Sequence, residues 1–249
     1  MSKKKCFLSA VLAVLVSMSS LQVSAADAVA VGKLYYNLSG TTAEVAPAAS
    51  GSYSGGIVIP SEIEYNGVTY TVAKIAEKAF WGSPLTSVTI PSTITAIGES
   101  AFYATNSLKS VMITDLTAWC KIDFAYEGNP LSDSNKLYIN NAVVKNLVIP
   151  DGITTIGPYA FERGTQFTSV TIPSSVKSIG NSAFAYCYNL NKIDIPDGVT
   201  SIGSYAFLMC TSLTEVNIPS SVTSIDASAF SYCTALASVE IPNGVTTVS

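Results

Sequence analysis

The stretch Leu213–Cys233 reads LTEVNIPSSVTSIDASAFSYC, and it is one copy of a unit that recurs along most of the chain. Within it Leu213, Val216, Ile218, Pro219, Val222, Ile225, Ala229, Phe230 and Cys233 mark the apolar and turn positions, and Leu236 opens the next copy. Ile-Pro recurs at Ile149-Pro150, Ile172-Pro173, Ile195-Pro196, Ile218-Pro219 and Ile241-Pro242, always 23 residues apart. Phenylalanine follows the first four of these prolines by 11 residues, at Phe161, Phe184, Phe207 and Phe230. Upstream, Pro91 and Phe102 keep the same offset, and Ile113-Thr114 carries threonine in place of proline. Pro60 and Phe80 mark an earlier unit, stretched around Tyr65-Asn66-Gly67.

Val216-Asn217-Ile218 alternates apolar and polar, as a strand with one buried face does. Proline then ends the ladder, because it has no N–H to donate. Val222 and Ile225 begin the return path. Gly203, after Ile202, predicts a positive-φ bend. Ile202, Ala206 and Cys210 fall at i, i+4 and i+8, which predicts a short helical turn. Each unit is therefore one coil. A coil of this size cannot bury its apolar face alone, so copies must stack and align like residues in columns. The phenylalanine column is the expected main wedge.

Leu-x-x-Val-x-Ile-Pro followed by Val-x-x-Ile-Gly-x-x-Ala-Phe resembles the BspA-like class of bacterial leucine-rich repeats, from about Tyr53 to the C-terminus. It departs from the commoner leucine-rich pattern, which has Asn or Cys where Ser221 stands. The resemblance implies a leucine-rich-repeat solenoid (α/β, a repeat protein) with a parallel β-sheet on its concave side; the reading of the unit adds short helical turns on the other. It also implies a surface or secreted protein of host-associated microbes that binds other proteins, with fibronectin- or fibrinogen-type ligands as the expectation.

The 249 residues are 48% hydrophobic and 12% charged, and they include no histidine. That excludes histidine-based nucleophilic triads, general bases and metal ligands. Low charge with high apolar content also argues against disorder. Lys3, Lys4 and Lys5, the apolar run from Cys6 to about Met18, and Val23-Ser24-Ala25 have the layout of a secretory signal peptide over residues 1–25. An uncleaved anchor is the alternative, although the run is shorter than the ~20 residues a span needs. Cys6 stands at the start of the apolar run, whereas a lipidated cysteine would follow it, which argues against lipidation there. Cleavage leaves 10 basic and 17 acidic residues, a charge of −7. Such a chain suits neither nucleic acid nor an anionic membrane surface.

Residues 26–56 are read as an N-terminal cap, with a flexible stalk as the alternative, and residues 57–249 as the solenoid. The step from Thr114 to Pro150 is 36 residues, which places an insert of 13 beyond one unit at about 115–145. Leu137-Tyr138-Ile139, Asn140-Asn141 and Ala142-Val143-Val144 predict a hairpin within it. The insert is either a binding bulge or a segment whose Trp119, Phe124 and Tyr126 pack onto neighbouring coils. The chain stops at Ser249, before the next expected phenylalanine. Either it is a fragment, truncated mid-repeat, or the last half-coil closes the stack.

Cys187, Cys210 and Cys233 share one column at a spacing of 23, not that of a zinc pair. They read as small buried hydrophobes, with a disulfide between adjacent copies as the exported-protein alternative. Asp194 and Glu240 share a strand position two rungs apart, roughly 10 Å at the usual strand spacing, and read as periodic surface. Gly51, Gly55 and Gly56 make no phosphate loop, and Asn37-Leu38-Ser39 is a lone sequon. No catalytic, cofactor-binding or metal-binding residue is expected.

A binding face, if the sheet has one, lies on the outward strand positions Thr89, Met112, Val148, Thr171, Asp194, Asn217 and Glu240, flanked by Ser87, Ser110, Asn146, Ser169, Lys192, Glu215 and Ser238. These vary while the inward columns hold. The candidate interaction residues are Thr89, Met112, Thr171, Lys192, Asp194, Glu215, Asn217 and Glu240. The expected function is an exported, non-catalytic, adhesion-type module, secreted or on the cell surface. It would be monomeric, with no membrane span after cleavage, binding extracellular or host proteins. The alternative is a structural spacer or accessory module of a larger surface protein or carbohydrate-active enzyme.

Overall fold

The computed structural model describes residues 28–132, 134–245 and 247–248. The expected signal peptide lies outside them. Successive coils stack through two ladders of strands, one on each side of a continuous apolar core.

The first ladder is built mainly from strands that lead into the Ile-Pro steps. Gly55–Val58, Leu85–Ile90, Ser110–Ile113 and Lys136–Ile139 pair in parallel, and Ala142–Val143 adds antiparallel at the end. A second sheet on the same side contains Asn146–Val148, Ser169–Thr171, Lys192–Asp194 and Glu215–Asn217, all parallel. The register is the sequence period: Val170, Ile193 and Val216 are partners, as are Thr171, Asp194 and Asn217. Val170 and Ile193 are buried and Thr171 and Asp194 exposed, as the alternation requires.

The opposite ladder consists mainly of two-residue strands. Ala96–Ile97 and Asp123–Phe124 extend from Val68–Ile75, and Thr155–Ile156, Ser178–Ile179, Ser201–Ile202, Ser224–Ile225 and Thr247–Val248 form a further parallel run. At the N-terminal end Val29–Val31, Leu34–Ser39 and Thr42–Ala46 form an antiparallel meander whose last strand pairs in parallel with Val68–Ile75. Leu34, Tyr36 and Val45 are buried in the common core. Tyr53 ties this meander down: its hydroxyl donates to Ala46 O at 2.8 Å and accepts from Tyr35 N, and its ring meets Phe80 at 5.1 Å.

Two expectations about the return path are corrected. The segment around each phenylalanine is not helical. Residues two before and two after it are left-handed in every regular coil, for example Tyr205 (φ 60) and Met209 (φ 57) around Phe207. A positive φ every fourth residue breaks a helix, and the N–H groups alternate in their partners. Ala206, Leu208 and Cys210 donate three residues back within their own coil, whereas Tyr205, Phe207 and Met209 donate to Ala227, Ala229 and Ser231 of the next. A run of four-residue turns thus gives the i, i+4, i+8 burial of Ile202, Ala206 and Cys210. Among the described residues the α-helix is confined to Leu116–Trp119, capped by Asp115 Oδ1 accepting from Thr117 N and Ala118 N.

Gly203 is likewise no positive-φ bend. It is needed because a Cβ there would lie 2.7 Å from Asn181 N and 2.9 Å from Gly180 C. Gly180 is in the same position against Pro158 N at 2.6 Å, and Gly98 against Glu77 N at 2.4 Å. The coils simply approach too closely for a side chain. In the coils after the seam the positive-φ glycines stand elsewhere, at Gly152 and Gly198. They alternate along the stack with Ser175 and Ser221. Ser221 Oγ accepts from Gly198 N at 3.0 Å and donates to Val199 O at 2.8 Å, and Ser175 bridges Gly152 N and Ile153 O in the same way. The serine at the departure from the commoner repeat pattern is thus an inter-coil bridge.

The phenylalanine column forms as expected. Phe161, Phe184, Phe207 and Phe230 stack face to face, with centroids 5.2–5.6 Å apart and planes within 9°. Phe80 and Phe102 stack at 4.9 Å.

The region around residue 115–145 differs from the expected single insert. Lys136 is the register partner of Ser110, so the 36-residue step to Asn146 is a long coil of 26 residues followed by a 10-residue hairpin. The predicted hairpin is present, turned by Asn140 (φ 49) and Asn141 (φ 65), both in the left-handed region that asparagine tolerates. It occupies a place in the first ladder, so that Tyr138, not Val148, lies beside Met112. Both ladders are interrupted at this point: among the described residues no strand pairing crosses it. Side chains bridge the seam instead. Trp119 Nε1 donates to Ala160 O at 3.0 Å, and Asn129 Nδ2 donates to Tyr159 O at 2.6 Å and to Ala160 O at 3.0 Å. Trp119, Cys120 and Phe124 are buried in the core, whereas Tyr126 is exposed.

Candidate interaction faces

The outward row of the first ladder comes from alternation alone: every inward aliphatic residue forces its neighbours outward. In the C-terminal sheet this row is Val148, Thr171, Asp194 and Asn217, in continuous register and all exposed. Lys192 and Glu215 are partners in the flanking row, also exposed. Lys192 Nζ lies 3.5 Å from Asp194 Oδ1 in an open ion pair, a contact of small energetic weight. Ser169 Oγ and Thr168 Oγ1 donate to Asn146 Oδ1 at 3.0 and 3.1 Å, linking polar neighbours across coils.

Thr89 and Met112 are register partners, but in the N-terminal sheet, where both are half-buried and Tyr138 is the next residue in the row. The hairpin and the seam separate them from Thr171. Glu240 is exposed but lies in no strand, since the described first ladder ends with Glu215–Asn217. The structure therefore brings together Thr171, Lys192, Asp194, Glu215 and Asn217. It keeps Thr89 with Met112 in a second strip and leaves Glu240 off the ladder.

The cysteine column is a packing feature. Cys187, Cys210 and Cys233 are buried free thiols whose Sγ atoms donate to Phe161 O, Phe184 O and Phe207 O at 3.1–3.3 Å. Burial pushes Cys187 up to about 12, and does the same for Cys120. Neither is a thiolate at neutral pH, the form that attacks or ligates. Among the described residues there is no group of three His, Cys, Asp or Glu side chains placed to hold a metal ion.

Reading the outward strand rows missed the turn side of the stack. Tyr103, Tyr126, Tyr205 and Tyr232 are each 45–67% exposed, and Trp81 is 56% exposed. At the seam Tyr103, Tyr126 and Tyr205 border a groove of about 670 Å³, whose lining also includes Glu127, Tyr159, Glu162 and Arg163. Ser100 Oγ donates to Glu127 Oε2 at 3.3 Å. Burial raises the Glu162 carboxyl to about 7, with Arg163 opposing the shift and Glu127 adding to it. The sequence carried a signal for this side: tyrosine recurs two residues before or after the column phenylalanine, at Tyr159, Tyr186, Tyr205 and Tyr232.

The family model described as the BspA type leucine rich repeat region matches residues 61–127 and 134–249, in six copies. A leucine-rich repeat protein from Bacteroides ovatus is similar at 24% identity and a TM-score of 0.55, over 88% of this chain and 60% of that one. This chain thus spans less than two thirds of that protein's length. A leucine-rich repeat protein of T. pallidum matches at 24% identity, over 82% of this chain and 77% of that one, with a TM-score of 0.43. The pneumococcal vaccine antigen PcpA matches at 16% identity, over 83% of this chain and 73% of that one, with a TM-score of 0.42. Comparison with curated proteins gives no match.

Proposed function

Because this chain belongs to the BspA-type leucine-rich repeat family, we propose that it is an exported, non-catalytic interaction module that binds an extracellular or host protein through the outer face of its C-terminal sheet. The observation that carries this reading is the contrast between rows. Along Ser169–Thr171, Lys192–Asp194 and Glu215–Asn217 the inward position is always aliphatic, while the outward positions change from Thr to Asp to Asn and from Ser to Lys to Glu. Stacking requires the first and leaves the second open to a ligand. A preformed sheet also loses little conformational freedom on binding, so modest contacts add up. No described helix is long and apolar enough to cross a membrane.

Capture of surface proteins by residues 26–249 tests the reading. The comparison is with a variant carrying D194A, E215A and N217A, whose side chains are exposed and leave the fold intact. Loss of at least tenfold in capture is expected. Equal capture by both proteins removes the sheet face from consideration, and no capture by either supports a spacer.

A further inference from the structure

The interrupted ladders leave a groove on the turn side, distinct from the sheet row. Five tyrosines border it: Tyr103, Tyr126, Tyr159, Tyr186 and Tyr205. Tyr126 and Tyr159 meet edge to face, 6.1 Å between centroids at 75°. Tyr126 is exposed, and Glu127 and Glu162 act on its hydroxyl from two positions. Glu162 acts on Tyr159 as well. Two tyrosine rings set nearly at right angles and flanked by two carboxylates form a seat for a cation, since ring faces and carboxylates both attract positive charge.

Charge favours the same occupant. Among the described lining residues Glu127 and Glu162 stand against Arg163 alone, and because burial raises the Glu162 carboxyl to about 7, the full excess of negative charge in the groove is reached above that pH. The same wall already shows the chemistry: the Arg163 guanidinium carbon lies 4.6 Å above the centre of the Tyr186 ring. The C-terminal sheet row, Val148, Thr171, Asp194 and Asn217, has no aromatic ring, and tyrosine is enriched where interfaces concentrate their binding energy.

We propose that this seam groove is a second docking site, taking an arginine or lysine side chain from an extended basic segment of a partner protein between Tyr126, Tyr159, Glu127 and Glu162. A protonated side chain there would sit on the rings while its N–H groups reach the carboxylates. Tyr126 supplies the accessible face. Glu162, partly withdrawn from water, gains a second counter-charge beside that of Arg163.

Titration calorimetry at pH 8 and 150 mM salt, where the Glu162 carboxyl has lost its proton, with acetylated, amidated tetra-arginine, and with tetra-citrulline as its uncharged analogue, tests the site in residues 26–249. Tetra-arginine is expected to bind at least tenfold more tightly than tetra-citrulline. Y126A and the pair E127Q with E162Q are each expected to weaken it at least tenfold. Y126F should keep the affinity because it keeps the ring, and E64Q should leave it unchanged because that exposed residue lies outside both the groove and the sheet row. The proposal is overturned if wild type does not bind, or if E127Q with E162Q binds equally well, which would mark diffuse attraction to an acidic chain. It is also overturned if neutral oligosaccharides such as cellohexaose bind the groove and displace the peptide. Failure of the sheet-face variant to lose surface-protein capture would leave this result untouched.

Discussion

Phe207 shows how much a single side chain carries here. It is fully buried between Phe184 and Phe230, so truncation removes transfer energy and two ring contacts at once. Phe207→Ala should cost about 3–5 kcal/mol, read as a lower midpoint in a circular dichroism melt; an unchanged midpoint would contradict the stacked column. Glu162 makes the opposite case, a charge the fold would rather not hold. Its carboxyl is raised from an ordinary 4.5 to about 7, chiefly by burial. In the folded state it therefore keeps its proton where the unfolded chain has lost it. The stability it contributes is fully present below pH 4.5 and is lost as pH rises through 7. Glu162→Gln should then raise stability at pH 8 by about 1–3 kcal/mol, and the gain should vanish near pH 4. Urea midpoints at the two pH values check this, and an equal gain at both would refute the assignment.

At the scale of the element, backbone contact between coils explains what side-chain periodicity could not. The apolar positions of the strands were legible because alternation has a period of two and tolerates no slip. The turn around the phenylalanine was misread because a four-residue repeat and a helix bury nearly the same positions. What separates them is the destination of each N–H, and in Tyr205, Phe207 and Met209 that is the next coil. Gly203 was misread for a related reason: a glycine in sequence signals either a positive φ or a lack of space, and only the distance to Asn181 and Gly180 distinguishes them. The alternation of Gly152, Ser175, Gly198 and Ser221 was in plain view. Its meaning required seeing that each serine bridges backbone of the preceding coil.

For the molecule as a whole, the seam is the feature on which stacking and binding both depend. Two runs of coils meet where neither ladder continues, and Trp119 and Asn129 replace backbone pairing with side-chain donors. Trp119→Phe should lower stability by about 1–3 kcal/mol and raise amide exchange first in residues 119–131 and 159–164. Exchange that rises uniformly along the chain would show that the seam is no separate unit. The repeat fixed the solenoid, its register, its phenylalanine column and the hairpin, because each is a local pattern or a period that stacking must obey. The existence of an outward row followed from the same rule. Its division into two strips, the displacement of Glu240 from the ladder and the tyrosine groove with its two carboxylates did not. These arise from residues far apart in the chain, brought together by an irregular coil whose path is set by packing against both neighbours, and no periodicity encodes that path.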